Sequence, residues 1–192
     1  MMERLKELIR ALTCLAAIGL LAACSTSLAG LPSTPAANMA EYRMQPGDQL
    51  LVTIQDVEQD DRSYTIDAGG MISLPLLQEV EVAGLDLRQI ENRIAQGYRS
   101  RNLLTDPNVS VQPGALRPFY VIGEVTKPGE FTYRQGMTVL SAVSAAGGYT
   151  YRAHEGEVEV VRSVNGREMR SRASEDAPIL PGDRIRVYEK WF

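Results

Sequence analysis

Histidine occurs once in this chain of 192 residues and cysteine twice, at positions 14 and 24. Two thiols are too few for a disulfide framework or a cysteine-bound metal cluster. The single imidazole, His154, stands beside Arg152, Glu155 and Glu157 with no second histidine at ligand spacing, so it reads as an exposed loop residue and no metal site is expected. Basic charge is also short: 20 Lys and Arg face 24 Asp and Glu, a net charge of −4, and residues 1–23 take three of the basic and two of the acidic side chains. An acidic remainder with scattered arginines excludes a nucleic-acid partner, which needs a basic stripe to neutralise phosphates. The glycines at 147–148 do not precede a Lys-Ser or Lys-Thr pair, and no G-x-G-x-x-G opens a helix. A nucleotide cradle is therefore missing, and no cofactor is expected.

What is present is a globular composition, 44% hydrophobic and 23% charged, placed behind an address. Arg4, Lys6 and Arg10 precede residues 11–23, an uncharged and mostly apolar run shorter than the roughly 20 residues that cross a bilayer. Residues 1–23 therefore read as a secretory signal peptide. Leu21-Ala22-Ala23-Cys24 resembles the bacterial lipobox, which implies cleavage before Cys24, a diacylglycerol joined to its thiol and a further acyl chain on its amine. More than one buried chain makes attachment durable, since each methylene contributes roughly 0.8 kcal/mol. Ser25, in place of Asp, implies by the same resemblance the outer membrane. The plainer alternative is an ordinary signal peptide that an unmodified Cys24 happens to follow.

Residues 24–40 are rich in Ser, Thr, Pro and Ala, without charge or sustained periodicity, and are expected to be a flexible tether. A first domain is expected over 41–112. Its signals are an apolar Leu51–Ile54 run, a hairpin from Tyr64–Asp67 through Ala68-Gly69-Gly70 to Met71–Leu74, and a stop at Pro75. Val80–Val82 then makes a short strand. Asp86 with Gln89 three residues on forms a capping box before a helix whose Leu87, Ile90, Ile94 and Tyr98 share one face. A second domain is expected over 117–192: a strand at Phe119–Ile122, a helix over 139–146 capped by Thr138 and ended by Gly147-Gly148, strands around Val158–Val161 and 167–172 joined at Asn165-Gly166, and a last strand at Ile185–Val187. One helix across a small mixed sheet is a β-grasp, so the fold class is α+β: a small mixed-sheet domain followed by a β-grasp domain.

Two segments repeat. Gln45-Pro46-Gly47-Asp48 and Leu180-Pro181-Gly182-Asp183 each precede an apolar strand, and Lys127-Pro128-Gly129-Glu130 is a related turn. Proline presets one turn dihedral, glycine takes the positive one, and aspartate bonds back to turn amides. These carboxylates accordingly read as turn braces and not as catalytic groups. Asp60, Asp61 and Asp67 are the remaining acid candidates, and as turn residues facing solvent they make a poor glycosidase pair, so no enzyme is expected.

Laid out in this order, the chain from Tyr42 onward resembles the polysaccharide export outer-membrane lipoproteins. The first domain carries the resemblance in Tyr42–Asp48, Ile66–Pro75 and Val82–Leu85; the second carries it in Val121–Val125, Lys127–Gly129, Ala145–Gly148 and Leu180–Asp183. The resemblance implies a polysaccharide export domain followed by one soluble-ligand-binding β-grasp domain. It implies a homo-oligomeric ring, tethered to the periplasmic face of the outer membrane, that passes finished polysaccharide delivered by an inner-membrane co-polymerase. Larger members add a C-terminal helix that crosses the outer membrane, whereas Tyr188–Phe192 follows the last strand directly, so a separate outer-membrane barrel partner is expected. Trp191-Phe192 is either a contact for that partner or part of its own sheet's packing. The competing readings are a non-transporting envelope lipoprotein that binds a glycan or small ligand, and a carbohydrate-active enzyme.

Overall fold

A computed structural model describes residues 28–35, 42–55, 62–164 and 166–190. Alternation builds the first strand, β1 (Gln49–Ile54), where Leu50, Val52 and Ile54 are buried and their neighbours point away. It is the centre of an antiparallel sheet in the order β2-β1-β5, with β2 at Arg62–Thr65 and β5 at Val109–Pro113. A separate hairpin joins β3 (Met71–Leu74) to β4 (Gln78–Glu81) and presents Ile72, Leu74 and Val80 to the same core. Helix α1 (Leu87–Ser100) lays Ile90, Ile94 and Tyr98 into that core. Its capping box is complete, because the Asp86 carboxylate accepts from the Gln89 amide at 2.8 Å and the Gln89 side chain accepts from the Asp86 amide at 3.1 Å.

The expected hairpin between Tyr64–Asp67 and Met71–Leu74 does not form as a strand pair. Its turn closes, with Gly70 N–H on the Asp67 carbonyl and Met71 N–H on the Asp67 side chain. The two arms then part: β2 pairs with β1 and β3 pairs with β4. Gly70 sits at a φ of 83°, and a Cβ there would stand 2.6 Å from that of Ala83. Its carbonyl takes the amides of Val82 and Ala83, which draws β3 toward β4 and away from β2.

The second unit is a five-stranded sheet in the order β7-β6-β10-β8-β9, formed by β6 (Phe119–Gly123), β7 (Gly129–Phe131), β8 (Glu157–Val164), β9 (Arg167–Ser174) and β10 (Arg184–Val187). Only β6 and β10 run parallel, and helix α2 (Val139–Ala145) packs Val139, Ala142 and Val143 over the sheet against Phe119, Val121, Val158, Val160 and Ile185. This is the β-grasp arrangement, so the α+β class stands. Thr138 and Ser141 cap α2, and Gly147 and Gly148, at φ of 81° and 84°, end it.

Of the expected tether, 28–35 is described, and part of it is not free. Pro32, Ser33 and Thr34 run along the outer edge of β9: Arg172 N–H donates to the Pro32 carbonyl at 2.8 Å and Thr34 N–H to the Arg172 carbonyl at 2.7 Å. Proline-biased extended backbone beside an open strand edge explains the pairing. No helix among the described residues is long and apolar enough to cross a membrane.

Candidate functional site

The two repeated turns meet, and the site is built where they do. In each, the amide of the aspartate bonds the carbonyl three residues back, and the aspartate side chain returns the bond to the amide of that same residue. Gln45 N–H reaches Asp48 Oδ2 at 2.9 Å, and Leu180 N–H reaches Asp183 Oδ2 at 2.7 Å. The glycines stand at φ of 92° and 82°, a left-handed backbone that a side chain would strain. In Pro46-Gly47-Asp48 and Pro181-Gly182-Asp183 the aspartate thus bonds an amide of its own turn. Pro128-Gly129 differs, because Gly129 begins β7 with an ordinary φ and Glu130 is exposed.

Both aspartates are fully buried, and a buried carboxylate has to be paired. Each has its own arginine. Arg162, projecting from β8, forks onto Asp183 with Nε at 2.9 Å from Oδ1 and Nη2 at 2.7 Å from Oδ2. Arg117 meets Asp48 Oδ1 twice, through its amide at 3.1 Å and its Nε at 3.3 Å, and Tyr42 gives its hydroxyl to Asp48 Oδ2 at 2.6 Å. Burial, followed by the Asp48 charge, raises the Tyr42 phenol well above its ordinary range, with Arg117 offsetting part of that. Burial pulls Arg117 down, but Tyr42 and Asp48 outweigh it and hold the guanidinium above its ordinary value.

Tyr42, Arg43, Arg117, Arg162, Leu180 and Pro181 line a cleft of about 120 Å³ at this meeting point. The third arginine, Arg43, is bonded to Asp86 and Gln89. Three guanidiniums thus face three carboxylates, which leaves the cleft polar and charge-balanced, suited to hydroxyl groups more than to phosphate. Asp48 and Asp183 are committed to amides and arginines, so they serve as fixed acceptors. A third buried carboxylate, Glu159, lies on the β-grasp sheet, where it accepts from Tyr188 Oη at 2.9 Å with Arg170 at 3.6 Å and Arg186 at 4.0 Å.

The other candidates are scattered. Asp67 is exposed and its Oδ1 accepts from Met71 N–H at 2.8 Å. His154 is exposed, with Nδ1 3.1 Å from the Glu155 carbonyl. Cys24, Asp60, Asp61 and Trp191-Phe192 lie outside the described residues. Among the described residues, no three His, Cys, Asp or Glu side chains gather to hold a metal ion. Arg117 and Arg162 carry no motif of their own. Two Pro-Gly-Asp turns, each leading into a strand with an apolar residue two positions after the aspartate, were the available signal, because an aspartate that braces a turn from inside needs a counter-ion.

Residues 36–113 match the family model described as polysaccharide biosynthesis/export protein, and residues 118–173 match the SLBB domain. The exopolysaccharide production protein ExoF of Rhizobium meliloti (strain 1021) is 32% identical over 159 residues, 77% of this chain and 36% of that protein. The EPS I polysaccharide export outer membrane protein EpsA of Ralstonia nicotianae is 33% identical over 88 residues, 44% of this chain and 23% of that protein. The chain thus spans well under half the length of either relative.

Proposed function

The chain belongs to the polysaccharide export family, and on that premise we propose that it is a subunit of a capsule or exopolysaccharide export channel in the bacterial envelope, passing polymer without making or breaking a bond. The observation that carries this reading is the match of residues 36–113 to the polysaccharide biosynthesis/export model followed directly by the SLBB match at 118–173. Passage needs surfaces that hold a hydrated chain weakly enough to release it. The charge-balanced cleft and its committed carboxylates suit such weak contact better than they suit proton transfer.

Cys24 is the lipid attachment point in this proposal and holds the protein to the periplasmic face of the outer membrane. Copies assemble as a ring, receive polysaccharide from an inner-membrane co-polymerase and hand it to a separate outer-membrane barrel. The test compares polysaccharide outside the cell with that held in the periplasm, in a strain lacking the gene and in strains complemented with the intact chain or with Cys24→Ser. Loss of surface polymer on deletion, its return with the intact chain and fatty-acid labelling that vanishes in Cys24→Ser are the expected results. Unchanged surface polymer in the deletion strain, with no second gene of this kind present, overturns the transport reading in favour of a glycan-binding envelope protein.

A further inference from the structure

We infer that Arg117 is a latch that fixes the two packed units against each other, a role that stands apart from the export reading. The stretch joining the units is bonded on both sides. Gly114 N–H donates to the Gln49 carbonyl and Gln49 N–H to the Ala115 carbonyl, both at 2.8 Å, which ties its first half to β1. Gly182 N–H donates to the Pro118 carbonyl at 3.1 Å and Tyr120 N–H to the Asp183 carbonyl at 2.9 Å, which ties its second half to the other turn. Between these ties only Leu116 and Arg117 remain to act as a pivot.

Arg117 closes that pivot from both directions. Its amide and Nε hold Asp48 of the first turn, and its Nη2 lies 3.1 Å from the Tyr42 hydroxyl and 3.4 Å from the Pro181 carbonyl of the second turn. The side chain lies across both turn glycines. A Cβ on Gly47 would come to 3.4 Å from Arg117 Cγ and Cδ, and one on Gly182 to 3.1–3.2 Å from the guanidinium itself. Leu116 packs against both cores and Leu180, from the second turn, against the first core, so apolar contact flanks the polar latch. The repeat in the sequence thereby gains a physical use: two copies of one turn form the two jaws around one guanidinium. A lysine, with a single ammonium in place of a planar fork, cannot serve Asp48, Tyr42 and Pro181 together.

The test uses the full chain with Cys14 and Cys24 replaced by serine and spin labels at Ser73→Cys and Ser174→Cys, one exposed site in each unit. The inter-label distance distribution is expected to be a single narrow peak with Arg117 present, broad in Arg117→Ala and intermediate in Arg117→Lys, with circular dichroism unchanged. Gly182→Asn supplies a second arm, because asparagine tolerates the left-handed backbone while its side chain displaces the guanidinium and leaves the Arg117 amide on Asp48. Broadening in that variant is also expected. A narrow peak retained in Arg117→Ala, or in Gly182→Asn should Arg117→Ala fail to fold, overturns the latch and leaves Arg117 as a local stabiliser of the first turn. Because the readout is a distance in purified protein, the latch can fail while export stands, and export can fail while the latch stands.

Discussion

A carboxylate with no exposed surface decides what surrounds it. Asp48 and Asp183 are held by turn amides and by arginines, whereas Glu130, after the third Pro-Gly pair, is exposed and needs no such partner. The turn amides were legible in the sequence, since Pro-Gly-Asp places an acceptor at a fixed offset. The arginines were not, because Arg117 lies 69 positions from Asp48 and Arg162 lies 21 from Asp183, beyond any local pattern. Tyr42 makes the arrangement testable by pH. Its raised pKa means that the folded protein holds the phenolic proton after the unfolded chain has released it near pH 10. The stability it contributes is therefore full below about pH 10 and falls as pH rises above that value. Tyr42→Phe is expected to cost about 2 kcal/mol at pH 8, where Asp48 loses a donor, and to make the decline between pH 10 and 12 shallower. Tyr149, pushed up to about 12 by burial and by the Glu175 carboxylate, contributes in the same window, so the decline shrinks without vanishing. Urea unfolding of both proteins at pH 8 and pH 11 reads the difference, and parallel declines would sink the assignment.

At the scale of elements, α1 and α2 were readable because their signals are local. Asp86 with Gln89 and Thr138 with Ser141 cap helices whose apolar faces recur at helical spacing. The β2–β3 hairpin was misread because Ala68-Gly69-Gly70 specifies a turn but not which strands continue from it. That choice depends on Ala83 packing against Gly70, a contact thirteen residues away. Gly123 shows how strongly one backbone position can constrain pairing. It ends β6 at a φ of 92°, and a Cβ there would lie 2.0 Å from the Val187 carbonyl oxygen, which itself accepts the Glu124 amide. Gly136 has a similar φ of 84° but open space around the same position. Gly136→Ala is expected to cost about 1 kcal/mol, the left-handed strain alone. Gly123→Ala adds the displacement of β10 and is expected to cost about 3 kcal/mol or more. Thermal unfolding of the pair separates strain from collision; equal losses would mean that the β6–β10 junction yields freely.

At the scale of the molecule, residues near the start of the chain are sewn to a strand near its end. The composition of 24–40 leads to the expectation of a tether, yet an extended Pro-Ser-Thr-Pro segment is also what an open strand edge accepts. Which outcome prevails is settled by β9, whose inner side is taken by β8 and whose outer side offers the Arg172 amide and carbonyl. Composition of one segment holds no record of an edge formed 138 residues later. Unpaired edges invite association with other chains, so covering β9 from within the chain removes one such template. Thr34→Pro tests the cover with little disturbance elsewhere, since proline lacks the N–H that reaches the Arg172 carbonyl and the hydroxyl that lies 2.8 Å from Ser171 Oγ. Faster hydrogen exchange at Arg172, whose amide bonds the Pro32 carbonyl, is the expected result. The melting temperature should scarcely move, because neither apolar core loses a contact. Unchanged protection at Arg172 would mean that residues 32–34 leave the edge open in solution, and the segment would then act as a free tether along its whole length.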